Sequence, residues 1–246
     1  MKPFRWTNCF ADVEACKHDL TIQSYFSDVI IPALATLEAK IADLTESEWP
    51  GAVFAHADMQ VMLRESKIAF GLSIQSIWER QLRTYLRGCV RDLRPGERLN
   101  AKIERANWKE LQKWFRDLRG IRLDAFPSFQ TLDTLQHLGN ACRHGDGESA
   151  AELARRCPDM WPMTKAIPPM PHMPPDAPAP QIELRVASMD IPVERLRDFV
   201  VAISTFWRDH EYIYNESIVR KHEGLEERLA EERNQRSWVP KAESDE

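Results

Sequence analysis

Residues 70–96 read FGLSIQSIWERQLRTYLRGCVRDLRPG, and this stretch decides the fold class. Phe70, Ile74, Ile77, Leu82, Tyr85, Leu86, Cys89 and Leu93 line up on one side at the 3.6-residue period, and Pro95-Gly96 ends the run. The opposite side carries Arg80, Arg83, Arg87, Arg91 and Arg94 at steps of three and four. An amphipathic run of this length is a long helix, too long and too regular for a strand.

Working outward, the same period recurs on both sides. Phe26, Ile30, Leu34, Leu37, Ile41 and Leu44 mark a helix within 17–46, with Pro32 either in its first turn or at a kink. Trp108, Leu111, Trp114, Phe115 and Leu118 mark another over 107–118, closed by Gly120. Ser128 stands as N-cap to a helix with Leu132, Leu135, Leu138 and Cys142 on its core side, closing at Gly145; a short helical piece follows near 149–156. Leu196, Val200, Ile203, Trp207, His210, Tyr214 and Ile218 continue in phase to Leu225 and Leu229, predicting one long final helix, with His210 on its buried stripe. Residues 1–16 show no period.

The prolines punctuate this pattern. Of 16, nine fall between 158 and 180, where four of the eight methionines also lie. Such a segment is extended and semi-rigid, a connection with little scope for regular structure. After it, Ile182, Leu184 and Val186 alternate with Glu183 and Arg185, the pattern of one short strand. The expected architecture is therefore all-α: a helical bundle of long amphipathic helices with one short β-strand or hairpin and a Pro-rich connecting segment. Residues 1–240 are read as a single domain with its core over 17–157, a strap over 158–180, a strand and long C-terminal helix over 181–236, and a frayed tail at 237–246.

Composition narrows the function. The opening MKPFRWTNCF has no signal-peptide core, and the apolar stretch Val29–Ala35 is far short of the roughly 20 residues that span a bilayer. The five cysteines at 9, 16, 89, 142 and 157 are odd in number, form no CxxC and have no His spaced to complete a zinc site, which predicts a reducing, cytoplasmic setting with no structural metal; no cofactor is expected either. The net charge of −5 argues against a generally basic nucleic-acid coat and leaves a local basic face open.

The helix over 128–144 separates two faces. At about 100° per residue, His137, Asn140 and His144 gather opposite the leucines, with Arg143 at their edge. Gly145-Asp146-Gly147 then forms a tight turn able to hold a carboxylate beside them. This set suits phosphodiester chemistry. An imidazole can take a proton from a ribose hydroxyl or give one to the leaving oxygen, and a guanidinium stabilises charge on phosphate. A polar helix face in water explains the same spacing. So does an ordinary ion-paired face for the arginine stripe, since Glu79 precedes Arg83 by four residues.

The run from Leu138 to Ala150 (LGNACRHGDGESA), followed by Arg156-Cys-Pro-Asp159, resembles a motif of bacterial proteins related to the HEPN superfamily. Trp78-Glu-Arg-Gln-Leu-Arg83 resembles that superfamily's early-helix signature. HEPN domains are small, usually dimeric helical bundles. Many are metal-independent endoribonucleases of toxin–antitoxin and antiphage systems that use the RNA 2′-hydroxyl as nucleophile. Their Arg-Asn-x-x-x-His element lies in a cleft between two protomers. Here Asn140 and His144 match the Asn and His, and the Arg position falls on Gly139.

The resemblance implies His144 as acid/base, Arg143 as the phosphate-stabilising group, and Asn140 with His137 as positioning groups. Glu79, Arg80, Arg83, Arg87 and Asp146 form the binding set around them. Expected partners are a second copy of the chain, RNA, and a cognate defence or antitoxin protein, with no membrane. The alternative is a catalytically inactive HEPN-like dimerisation or interaction module. A third reading is a nucleotide-binding bundle in which the glycine turn and the arginines hold phosphates.

Overall fold

The computed structural model describes residues 3–161 and 185–240. These are mostly helical, with no strand among them. In order they form α1 (Phe10–Ala15), α2 (His18–Ser24), a π-helical turn (Tyr25–Ile30), α3 (Ile31–Thr45), α4 (Ala52–Leu93), α5 (Asn100–Arg105), α6 (Trp108–Arg119), α7 (Phe129–His144), α8 (Glu148–Arg156), α9 (Val193–Ser217) and α10 (Glu223–Gln235).

Local chemistry accounts for most boundaries. Asn107 Oδ1 accepts from the Glu110 amide at 3.0 Å and Glu110 Oε2 accepts from the Asn107 amide at 2.7 Å, a reciprocal capping box that starts α6. Gly120 ends it at φ 69°, a left-handed conformation that glycine adopts without strain. Gly145 does the same for α7 at φ 75°. Pro32 opens α3 directly after the π-helical turn, the local irregularity that accommodates a proline inside a continuing helical run.

Three expectations are modified. Ser128 precedes α7 and its carbonyl accepts from Leu132 N, but its hydroxyl makes no hydrogen bond and is no side-chain cap. The single long final helix is divided into α9 and α10. Lys221 Nζ donates to the carbonyls of Glu216 and Ile218, both at 3.0 Å, and His222 Nδ1 accepts from Gly224 N, so side chains satisfy both new ends. Of the expected strand, residues 182–184 lie outside the described residues, as does most of the Pro-rich strap, while Val186 opens a 3₁₀ turn (Val186–Ser188).

The helical run Phe10–Thr45 also holds an 18-residue window of mean hydropathy 1.3, 22% of it buried. Measured on the whole run rather than on Val29–Ala35, it is long and apolar enough to cross a membrane by length and composition, although the Cys16-Lys17 turn interrupts it.

The chain divides into two compact units, each drawn from separated stretches: Met1–Phe26, Ser76–Asp133 and Asp198–Glu246 in the first, Ser27–Gln75 and Thr134–Arg197 in the second. The first has an aromatic core. Trp78 meets Phe206 at 4.9 Å between ring centroids, and Tyr85 meets Trp207 at 5.7 Å and His210 at 4.6 Å. Trp6, from the stretch that shows no period, packs on His210 at 5.1 Å. Edge-to-face pairs of this kind add roughly 0.5–1.5 kcal/mol each beyond the area they bury.

The second unit has an aliphatic core that includes Ile30, Leu34, Ile74, Leu135, Leu138, Leu153, Ile191 and Leu196. Gly71 lets α4 approach Leu138 and Ile191 there, since a Cβ at that position would meet their side chains at 3.0 and 3.2 Å. The Asp190 amide donates to the Met160 carbonyl at 2.8 Å, and Trp161 Nε1 donates to the Arg185 carbonyl at 2.9 Å.

Candidate functional site

The C-terminal half of α7 belongs to the second unit, where α4 and α8 flank it on different sides. On the α8 side, Arg156 Nη1 donates to Thr134 Oγ1 at 3.2 Å, and Asn140 Nδ2 lies 3.5 Å from Ser149 Oγ. His137 falls between these two contacts along the helix and is half-buried. On the α4 side, Gln75 is fully buried, its Nε2 donating to Gln136 Oε1 at 2.9 Å. Its Oε1 accepts from Arg143 Nη2 at 2.5 Å, a charge-assisted bond.

Gly139 explains why Gln75 reaches this position. A Cβ on residue 139 would stand 2.6 Å from Gln75 Cγ and 2.7 Å from its Cδ. The amide of Gln75 fills the space that any side chain at 139 would need. Residues 139 and 143 are one turn apart, on the same face of α7. Arg143 thus lies one turn closer to the C-terminus than Gly139, with Gln75 as its anchor.

The four α7 candidates are thus divided rather than gathered. His137 and Asn140 face α8, Arg143 turns to Gln75, and His144 is exposed, with no hydrogen bond or ion pair among the described residues. Asp146 is committed elsewhere in the same unit, its Oδ1 accepting from the Val186 amide at 2.7 Å. It also lines a cavity of about 540 Å³ with Gly147, Ala150, Ala151, Ala154 and Arg155.

Glu79, Arg80, Arg83 and Arg87 belong to the first unit. Arg83 is a structural clamp: its Nη1 donates to the carbonyls of Ile103 and Glu104 at 2.6 and 2.9 Å, and its Nη2 to Ala106 at 2.8 Å, tying down the end of α5. Glu79 Oε1 holds the same guanidinium at 2.6 Å. Arg87 pairs with Glu104 at 2.9 Å, Arg91 with Asp92 at 2.7 Å, and Arg94 donates to the Asp117 carbonyl at 2.9 Å. Arg80 alone in the stripe is exposed and without a hydrogen bond or ion pair among the described residues. The stripe is largely the ion-paired face that the Glu79–Arg83 spacing suggests.

Sequence reasoning did not find Gln75, Gln136 and Ser149. A buried polar cluster in the first unit, of which the helical period marks only His210, carries no local signal in the sequence either. Asp12 Oδ1 accepts from Tyr85 Oη at 2.9 Å and Arg119 Nη2 at 2.8 Å, with His210 Nε2 at 3.1 Å. Burial alone would raise the Asp12 carboxyl, but His210 and Arg119 outweigh it and hold it below its ordinary value. Burial pushes the His210 imidazole down, against the pull of Asp12. Among the described residues no three His, Cys, Asp or Glu side chains are grouped to hold a metal ion.

Comparison with protein-family models, with curated proteins and with solved structures returns no match.

Proposed function

We propose that the protein is a HEPN-like helical module that acts on RNA at the C-terminal end of α7, in the cytoplasm and as a homodimer. One observation carries this reading: the Arg143 guanidinium is held on Gln75 beside the exposed His144. A fixed positive group and an accessible imidazole then stand on consecutive residues, groups that can serve phosphodiester transesterification. The resemblance to Asn-x-x-x-His elements points the same way. In the reaction, the 2′-hydroxyl gives up its proton to a base as its oxygen bonds to the neighbouring phosphorus, the bond to the 5′-oxygen breaks, and the leaving oxygen takes a proton from an acid. His144 would move that proton, and Arg143 would offset the charge gathering on the phosphoryl oxygens. A second copy would complete the cleft, and the setting would be toxin–antitoxin or antiphage defence.

The alternative, a catalytically inactive interaction module, is favoured by the commitments of Asn140 and Asp146, which leave His144 and Arg143 without the rest of the expected set. The two readings separate on purified protein incubated with total RNA in EDTA, beside His144→Ala. Cleavage that survives chelation and disappears in the variant supports the ribonuclease. Intact RNA with both chains sinks it, and RNA binding measured in the same samples then decides whether the module still engages RNA.

A further inference from the structure

Two of the five cysteines meet in the first unit. Cys9 Sγ and Cys89 Sγ are 3.8 Å apart. Cys9 is half-buried at the start of α1, and Cys89 is fully buried on α4. Their backbones are brought together by small residues, since a Cβ on Gly88 would stand only 2.7 Å from Ala11 Cβ. Asp92 Oδ2 fastens the contact by accepting from the amides of Phe10 and Ala11 at 2.9 and 3.3 Å. Closing to a disulfide needs the sulfurs to approach to about 2.05 Å, a movement within reach of side-chain rotation.

The surroundings make the two sulfurs unequal. Arg119 Nη1 lies 3.8 Å from Cys9 Sγ. That guanidinium is buried, fixed by Asp12 at 2.8 Å and stacked 3.9 Å from the centre of the Trp6 ring. It is a permanent positive charge beside the more accessible sulfur, which favours a thiolate there. Contact with Cys89 is the main cause that holds the Cys9 thiol below its ordinary value, against burial and the Asp12 charge, with Arg119 adding a smaller pull; contact with Cys9, together with burial, pushes the Cys89 thiol up. The pair thus has an attacking sulfur and a protonated partner placed behind it.

We propose that Cys9 and Cys89 form a hydroperoxide-oxidised pair that closes into an intramolecular disulfide. The Cys9 thiolate attacks one peroxide oxygen and the O–O bond breaks. Cys9 becomes a sulfenic acid, and the second oxygen leaves as hydroxide. The Cys89 sulfur then attacks the Cys9 sulfur, the S–O bond breaks, and water departs with the Cys89 proton. In sum, two thiols lose two electrons and one hydroperoxide is reduced, to water in the case of hydrogen peroxide. The link fastens the segment that opens α1 to α4.

The test uses the reduced full-length chain and about one equivalent of hydrogen peroxide, read by intact mass and non-reducing tryptic mapping. The expected result is loss of two hydrogens and one link, joining the peptide Trp6–Lys17 to Gly88–Arg91. The link also forms in Cys16→Ser, is reversed by dithiothreitol, and is absent from Cys9→Ser, where Cys89 stays reduced. Cys9 in the untreated chain alkylates at least about tenfold faster than Cys16. The proposal is overturned by a Cys9 sulfenic or sulfinic acid that persists beside a free Cys89 thiol. It is equally overturned by a link to any other cysteine, or by a Cys9 that peroxide leaves untouched.

Discussion

Asp12 and Arg119 meet where neither touches water: Oδ1 and Nη2 are 2.8 Å apart, and both side chains are 0% exposed. The carboxylate also takes Tyr85 Oη and, through Oδ2, the Cys9 amide, so α1, α4 and α6 are joined at one charge. Losing one partner of such a pair strands the other in the core, which costs about 3–5 kcal/mol, more than the pair itself contributes against an apolar replacement. Arg119→Met is therefore expected to lower the denaturant-unfolding stability by that amount. Asp12→Leu combined with Arg119→Met should lose less than the sum of the single variants. A loss under about 1 kcal/mol for Arg119→Met would show that the charge is not sealed from solvent.

Acid should weaken the first unit in a window set by its buried imidazoles. His18 lies edge-on to the Trp207 ring at 4.7 Å, and burial, reinforced by His210, takes its pKa from 6.5 to about 4. Between those values the unfolded chain binds a proton that the folded chain does not, so stability falls as pH falls from 6.5 towards 4. His210, also depressed by burial, adds in the same direction. Asp12, depressed by its partners, loses its contribution only lower, as pH drops through its folded value. The urea midpoint should decline from pH 7 to pH 4.5, and His18→Phe, which keeps the ring against Trp207, should flatten that decline. A midpoint constant across this range would refute the account.

How far the sequence carries depends on whether a signal is local. Asn107, Glu110 and Gly120 are all within reach of α6, and its bounds can be read almost to the residue. The break between α9 and α10 cannot, because Ile218, Leu225 and Leu229 stay in phase across it while Lys221 and His222 do the capping. Asp12 belongs to a stretch with no period and gains its meaning only from Arg119, Tyr85 and His210. At the candidate site, the helical wheel separates His137, Asn140 and His144 from the leucines correctly. It cannot say that α8 covers one side and Gln75 the other, since those are tertiary facts. The arginine stripe was legible as a pattern, and the Glu79–Arg83 spacing already pointed to its structural use.

Gly139 provides a prediction in which the sign is informative. Inside a helix, Gly→Ala ordinarily stabilises by about 1 kcal/mol. Here the new methyl would press on Gln75, which is buried, bonded to Gln136 and anchoring Arg143. Gly139→Ala should instead destabilise by about 1–3 kcal/mol, as overpacked cores do. In a Gln75→Ala background the obstruction is gone, and the same change should be neutral or stabilising, a coupling that a double-mutant cycle measures directly. If Gly139→Ala stabilises the unaltered chain, Gln75 does not fill that space.

Arg83 and Arg80 lie three residues apart on one helix face and should behave in opposite ways. Arg83 reaches three backbone carbonyls and Glu79 with a side chain only 16% exposed. Lysine has no planar fork to serve these acceptors together, so Arg83→Lys leaves carbonyls at the end of α5 unsatisfied and should cost about 1–3 kcal/mol. Arg80 is exposed, and Arg80→Ala should stay within about 0.5 kcal/mol of the unaltered chain. RNA binding then separates structure from recognition. If the stripe is an RNA face, Arg80→Ala weakens binding and lowers the slope of log affinity against log salt by about 1, with stability unchanged. If only Arg83→Lys affects binding, and does so in proportion to its lost stability, the stripe serves the fold and recognition lies with Arg143 and His144.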